Sequence, residues 1–418
     1  MIEVTKLRNG VTVVTEQIPY LQSVAMGIWV RAGARDENPS ISGVSHFIEH
    51  MMFKGTEKRS AREIAEEVDR ISGQMNAFTG KEATCYYMKT LSCHAETGAE
   101  ILCDMFMNSS FDPKEMSKEK QVIYEEIKMV NDSPEDVVHD TICELVFKGN
   151  PLARSILGTE SSLRGISRNK LTAYRDAEYT KDSVVISICG NFDEIALREI
   201  FERELDNLKN TKEKKFSEEL PYRPAYRSIV KDIEQTHVCL GTRGVCLDDD
   251  LYYAFAVLNN MMGGTMSSRL FQKVREEKGL AYSVYSSSSS FTDMGYFNIY
   301  AGVAHEKLDA AIHAIGGEIL RLSEEFVSKD ELEMAKEQLK GSYIFGQESV
   351  NSRMFSAGKN MLLLNRVFPA EEVIREIDQV TMEEVRAAAE KITHLDSYSA
   401  VIVANRKMDV RRMMRNFR

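Results

Sequence analysis

His46, Glu49 and His50 fall within five consecutive positions of the string "GVSHFIEHMMFKGT" (43–56), whose other members are mostly apolar. On a helix the two histidines are i and i+4, so their rings lie one above the other on one face, a spacing that a single metal ion can bridge. Glu49 projects close beside them. Zinc accepts neutral imidazole nitrogens at roughly 2.0–2.1 Å, and a catalytic site takes three protein ligands and leaves a fourth position for water. A carboxylate next to that water can take its proton at neutral pH. One histidine on an apolar face is ordinarily a core side chain satisfied by hydrogen bonds. Three ionisable groups among Val44, Phe47, Ile48, Met51, Met52 and Phe53 are another matter, because burying them without a cation carries a large desolvation penalty.

A third ligand must come from elsewhere. In "KEKQVIYEEIKMV" (118–130) the apolar stripe is Val122, Ile123, Ile127 and Val130, and Glu119 and Glu126 share that stripe at i and i+7. Glu125 falls off it, beside Lys118 and Lys128. Two carboxylates on an inward face need a cationic partner. The pattern assigns Glu126 as third ligand and Glu119 as the group that orients a ligand or the water.

Alternation predicts strands within 10–32, and apolar spacing predicts helices over 42–53 and 60–72. The second helix opens on a capping box, Ser60 with Glu63, carries a stripe of Ile64, Val68 and Ile71, and ends at Gly73 as its left-handed residue. "QMNAFTG" and "ATCYYMKTL" read as strands, 95–178 as mostly helical, and "SVVISICGNFD" as a buried strand. The charged, Pro-containing stretch 210–226 reads as a linker between a first domain, 1–209, and a second, 227–418. Beyond it the order of events repeats, with "AVLNNMMGGTMSSRLFQ" in register with "HFIEHMMFKGTEKRSAR". At an offset of 210 the ionisable trio becomes Ala256, Asn259 and Asn260, so the second copy has lost the chemistry.

The chain's 418 residues require more than one domain. A net charge of −11 argues against nucleic-acid binding, and the apolar runs are too short for a membrane span. Seven scattered cysteines without a CxxC pair read as reduced thiols, and the N-terminal residues lack the pattern of a secretion signal; a cytoplasmic location is the expectation.

These residues resemble the inverted-motif zinc peptidases, which carry H-x-x-E-H, and within them the mitochondrial processing peptidase-like bacterial subfamily of the pitrilysin/insulinase superfamily. The resemblance extends over essentially the whole chain, including "LRNGVTVV", "NAFTGKEATCYY" and "NPLARSILGTESSL", the last with Asn150 where many relatives have histidine. In that family a glutamate 76 residues beyond the second histidine is the third ligand, which is the position of Glu126.

The resemblance implies an α+β fold of two homologous domains, each a mainly antiparallel sheet flanked by helices, enclosing a chamber. It implies one Zn2+ per chain and a metalloendopeptidase that cleaves peptides or processes extended polypeptide, with Glu49 as the proton-transfer residue. "GQMNAFTG" resembles the edge strand along which substrate pairs, making Asn76, Ala77 and Phe78 substrate contacts. "REEKGLAY" matches an Arg and a Tyr that hold the peptide near the scissile bond, here Arg275 and Tyr282. Asp136 and Asp140, at i and i+4, match acidic positions that bind an arginine just upstream of cleavage, implying action near basic residues. Bacterial relatives pair two identical chains, so a homodimer is expected. The alternative is a noncatalytic presequence- or peptide-binding scaffold subunit, as some members are.

Overall fold

The computed structural model describes residues 2–210, 221–324, 327–415 and 417, so most of the expected linker lies outside the described residues. Two compact units emerge, one of Met1–Lys128, Arg154–Ser217 and Phe345–Pro369, the other of Met129–Ala153, Glu218–Ile344 and Ala370–Arg418.

In chain order the first half comprises β1 (Ile2–Lys6), β2 (Thr12–Gln17), β3 (Ser23–Val30), α1 (Val44–Met52), α2 (Ala61–Arg70), β4 (Gln74–Thr79), β5 (Thr84–Leu91), α3 (Ala95–Asn108), α4 (Pro113–Asp132), α5 (Pro134–Val146), α6 (Glu160–Arg164), α7 (Arg168–Glu178), β6 (Val184–Gly190) and α8 (Glu194–Glu204). The second comprises β7 (Tyr226–Val230), β8 (Thr236–Arg243), α9 (Tyr252–Asn259), β9 (Ala281–Ser290), β10 (Gly295–Val303), α10 (Leu308–Glu324), α11 (Lys329–Gln347), α12 (Val350–Leu364), α13 (Ala370–Gln379), α14 (Met382–Thr393), β11 (Ser399–Ala404) and α15 (Val410–Met413).

The first sheet runs β1-β2-β6-β3-β5-β4 and the second β7-β11-β8-β10-β9. Each has one parallel pair, β2 with β6 and β7 with β11, and is otherwise antiparallel. Matching β2–β6 to β7–β11 in chain order makes the second order identical to five strands of the first, so the repeat seen in the sequence is a repeat of topology. Strands β6 and β11 are buried along their whole length, as central strands covered on both faces must be.

Two helices pack away from their sequence neighbours. α5 covers β8 and β11, with Val138, Ile142 and Val146 against Cys239, Val401 and Val403. α12 lies on β3 and β6, where Gly358 and Gly27 allow close approach.

Within α2, Ser60 and Glu63 form the expected box, with Ser60 N–H donating to Glu63 Oε2 at 2.7 Å and Glu63 N–H to Ser60 Oγ at 3.2 Å. Its end differs from expectation: Ser72 takes the left-handed conformation, φ 51°, and Gly73 does not. Gly73 N–H bonds Val68 O at 2.8 Å, and a Cβ there would stand 3.0 Å from Val68 Cγ1, so the glycine serves close approach. No helix among the described residues is long and apolar enough to cross a membrane. All seven cysteines are free thiols, five of them buried.

Candidate metal centre

α1 begins where Gly43 adopts φ 89°, and a Cβ there would stand 2.5 Å from Leu157 O, so only glycine fits the turn. Its first amides are held by a side chain from outside the helix. Glu37 accepts from Gly43 N–H at 2.7 Å and Ser45 N–H at 2.9 Å, pairing amides that the buried start of the helix would otherwise leave without a partner. The carboxylate is 3% exposed, and burial pushes its pKa up to about 7, against the lowering effect of those hydrogen bonds and of Arg154. Ser45 Oγ shares a 2.9 Å hydrogen bond with Tyr174 Oη of α7, tying the helix to its neighbour.

The rest of α1 is buried except at Glu49 and His50, which are partly exposed. The two imidazoles lie with ring centroids 4.5 Å apart and Nε2 atoms 3.2 Å apart. Glu126 Oε2, from α4, stands 3.6 Å from each Nε2. This oxygen is buried and has no hydrogen-bond partner. Tetrahedral ligands at zinc distances of about 2.0–2.1 Å are about 3.3–3.4 Å from one another, so the three atoms have the spacing of one face of such a site. An orphaned carboxylate oxygen facing two imidazole nitrogens is the donor set a divalent cation would satisfy. Burial and the neighbouring His50 lower the His46 pKa to about 3, leaving it the neutral ring that metal ligation needs.

α4 presents Met116, Glu119, Ile123 and Ile127 inward, with Glu126 half-buried and Glu125 in solvent. Val122, placed on the inward stripe by sequence, is 50% exposed; Ile123 and Ile127 turn the buried face one residue away from it. Glu119 Oε1 accepts from His50 Nδ1–H at 2.9 Å, which leaves His50 Nε2 with its lone pair toward His46 and Glu126. Glu119 Oε2 pairs with Lys54 Nζ at 2.7 Å.

Glu49 lies beside the triad, and Thr79, the last residue of β4, donates its hydroxyl hydrogen to Glu49 Oε2. Burial raises the Glu49 pKa, opposed by that hydrogen bond and by His50. Among the described residues β4 pairs only with β5, which leaves its other side an open edge. Asn76 and Phe78 are exposed and Ala77 is buried; Ala77 N–H goes to Asn76 Oδ1 at 2.8 Å, a donor that an added strand could claim. Phe78 packs edge-to-face with Trp29 and Phe355 at 5.5 and 5.6 Å.

Four candidates belong to the other compact unit. Arg275 places its guanidinium 4.6 Å from the Phe271 ring centroid and 5.5 Å from that of Tyr282, which is 78% exposed. Asp136 and Asp140 are exposed on α5. In the second copy of the repeat, Asn259 Oδ1 accepts from Ser286 Oγ at 2.9 Å and Asn260 Nδ2 donates to Ala335 O at 3.0 Å, so the counterparts of the trio are spent on structure.

Sequence reasoning missed Thr79, Lys54 and Glu37. Thr79 lay in a stretch singled out as a substrate strand, but nothing local marked its hydroxyl for Glu49. Glu37 is an acidic residue six positions before a glycine, visible only once the turn is folded.

Comparison with known proteins places the chain in a family. The profile of insulinase (peptidase family M16) matches residues 12–160, and that of the M16 inactive domain matches 165–339. The chain is 43% identical to a Bacillus subtilis protein named uncharacterized zinc protease YmxG, over 96% of this chain and 98% of that protein. The chain belongs to the M16 peptidase family. A Rickettsia bellii protein named uncharacterized zinc protease is 37% identical over 96% of this chain and 97% of its own. Among solved structures, an M16 inactive-domain protein from Pseudomonas fluorescens aligns with TM-score 0.90 and a Helicobacter pylori protease with 0.89. Each is 20% identical, the first covering 97% of this chain and 98% of its own, the second 96% and 99%, and they establish the M16 fold. That the second profile is of an inactive domain agrees with the loss of the trio at Ala256, Asn259 and Asn260.

Proposed function

We propose that this M16 peptidase is a zinc metalloendopeptidase acting on extended polypeptide, with His46, His50 and Glu126 holding one zinc ion per chain and Glu49 as the proton-transfer residue. The observation that carries the reading is the triangle of Nε2, Nε2 and Oε2 at 3.2, 3.6 and 3.6 Å, with a carboxylate held beside it by Thr79. Zinc bound there supplies a Lewis acid that acidifies water and polarises a carbonyl.

The remaining work falls to the protein's own groups. Substrate enters as a strand along the free edge of β4, where main-chain pairing at Asn76–Phe78 tolerates varied sequences. Glu49 takes a proton from the attacking water and returns it to the departing amine; the desolvation that raises its proton affinity favours that shuttle. Glu119 keeps His50 in the required tautomer. Arg275 and Tyr282 contribute substrate contacts, and Asp136 and Asp140 a preference for basic residues. The active form is a homodimer in the cytoplasm.

The noncatalytic scaffold is the competing reading. The deciding experiment compares Glu49→Gln with His46→Ala on a peptide library. The first keeps zinc, measured by atomic absorption, and loses at least about a hundredfold in cleavage rate; the second loses the metal as well. Near-normal turnover by Glu49→Gln refutes the assignment, and a fully zinc-loaded wild type that cleaves nothing establishes the scaffold instead.

A further inference from the structure

The internal repeat exposes an omission. β7 occupies the position of β2, yet β2 is covered on its outer side by β1 through five antiparallel pairs from Ile2–Glu16 to Lys6–Thr12, and β7 has no such neighbour among the described residues. Ala400 N–H donates to Ala225 O at 3.1 Å and Lys231 N–H to Ala404 O at 2.9 Å, so residues 225 and 231, and by alternation 227 and 229, turn their main chain toward β11. Tyr226, Ser228 and Val230 therefore turn theirs outward, a row of donors and acceptors on an open edge.

Beside this edge runs a groove of about 750 Å³ lined by Ala225, Tyr226, Ser228, Lys407, Met408 and Arg411, among others. The segment forming its far wall is strongly basic. Arg406, Lys407, Arg411, Arg412 and Arg415 are all exposed, in a chain whose net charge is −11. None of the five forms an ion pair among the described residues. The Arg411 guanidinium lies 6.0 Å from the Tyr226 ring centroid, and Asp409, the one acidic residue here, caps α15 through Arg412 N–H at 3.1 Å.

We propose that the open edge of β7 docks an extended acidic polypeptide segment, which adds as an outer strand in the place β1 holds in the first sheet and sets its carboxylates against Lys407 and Arg411. A polypeptide is favoured over nucleic acid because the edge alternates N–H donors with C=O acceptors, and a phosphate backbone can pair with the donors but has no hydrogen to give the carbonyls. Cations on a sheet edge also serve to keep other strands off; the two roles make opposite predictions.

The test is fluorescence anisotropy of the full chain with labelled (Glu-Val)5, (Lys-Val)5, (Glu-Val)5 N-methylated at every residue so that neither edge can donate, and a ten-residue oligothymidylate. The acidic peptide binds and the basic one does not. N-methylation, which removes the strand's pairing hydrogens, and the double variant Lys407→Glu/Arg411→Glu each weaken binding by roughly tenfold or more. Val230→Pro, which deletes an outward N–H while sparing the ladder to β11, does the same. Three results overturn the proposal: no binding of the acidic peptide, which includes occupation of the edge by a second copy or by the chain itself; equal binding of the N-methylated peptide; or equal or tighter binding of the oligothymidylate. The peptide arms decide the matter even if Val230→Pro does not fold.

Discussion

Glu119, only 5% exposed, is held between His50 Nδ1 at 2.9 Å and Lys54 Nζ at 2.7 Å. A buried carboxylate so placed is offset by a cation on one side and orients an imidazole on the other. Glu119→Gln keeps the shape but can present its amide N–H to His50 Nδ1, which permits the wrong tautomer. Zinc affinity should fall by about 10–100-fold, read by competition with a fluorescent chelator. Unchanged affinity would show that Glu119 serves only to pair with Lys54.

The Thr79 hydroxyl fixes one oxygen of Glu49. Thr79→Val removes that bond while nearly conserving volume. Turnover should drop by roughly tenfold or more, the worth of a hydrogen bond to a charged group, with zinc content unchanged. Thr79→Ser should recover most of the rate, since it restores the hydroxyl. Loss of both zinc and rate would instead point to collapse of the β4 edge.

How much of this was readable in the sequence follows from the range of each interaction. The pairing of His46 with His50 is dictated by helix geometry within five residues, and Glu126 follows from which face of α4 is apolar. The Val122 error marks the limit of that method: a stripe read from residue types can be off by one position, because the partner surface chooses the face. Thr79 and Glu37 reach α1 from separate segments, and nothing local announces them. The same holds for α5 and α12. An amphipathic helix declares that it covers a sheet, but which sheet depends on complementary features such as Gly358, whose contacts are distant in sequence. The repeat was legible because topology was duplicated together with the "MM" register, although the chemistry was not.

Gly358 shows how tight that fit is. A Cβ on it would lie 2.1 Å from Trp29 Nε1 and 2.7 Å from Ser187 Oγ, the two atoms joined by a 3.0 Å hydrogen bond beneath α12. Gly358→Ala must push the helix away or break that bond. A loss of about 1–3 kcal/mol in urea unfolding is expected, the usual effect of overpacking a core. The site on α1 shares no atom with this contact, so zinc content of the folded fraction should not change.

Glu37 gives stability a pH dependence whose sign can be worked out. Its carboxyl has a pKa of about 7 in the folded chain, against an ordinary value of 4.5, because burial penalises the charged form. Between these values the folded state holds a proton that the unfolded state has released, so the contribution is complete below pH 4.5 and is lost as pH rises to about 7. The full change is about 3 kcal/mol, at about 1.4 kcal/mol for each pH unit. Glu37→Gln cannot titrate, so it should remove this component from the pH profile of urea unfolding between 4.5 and 7, while its amide oxygen can still accept from Gly43 or Ser45. An identical profile in the variant would mean that the carboxylate is ionised throughout, stabilised by the α1 amides more strongly than burial opposes it.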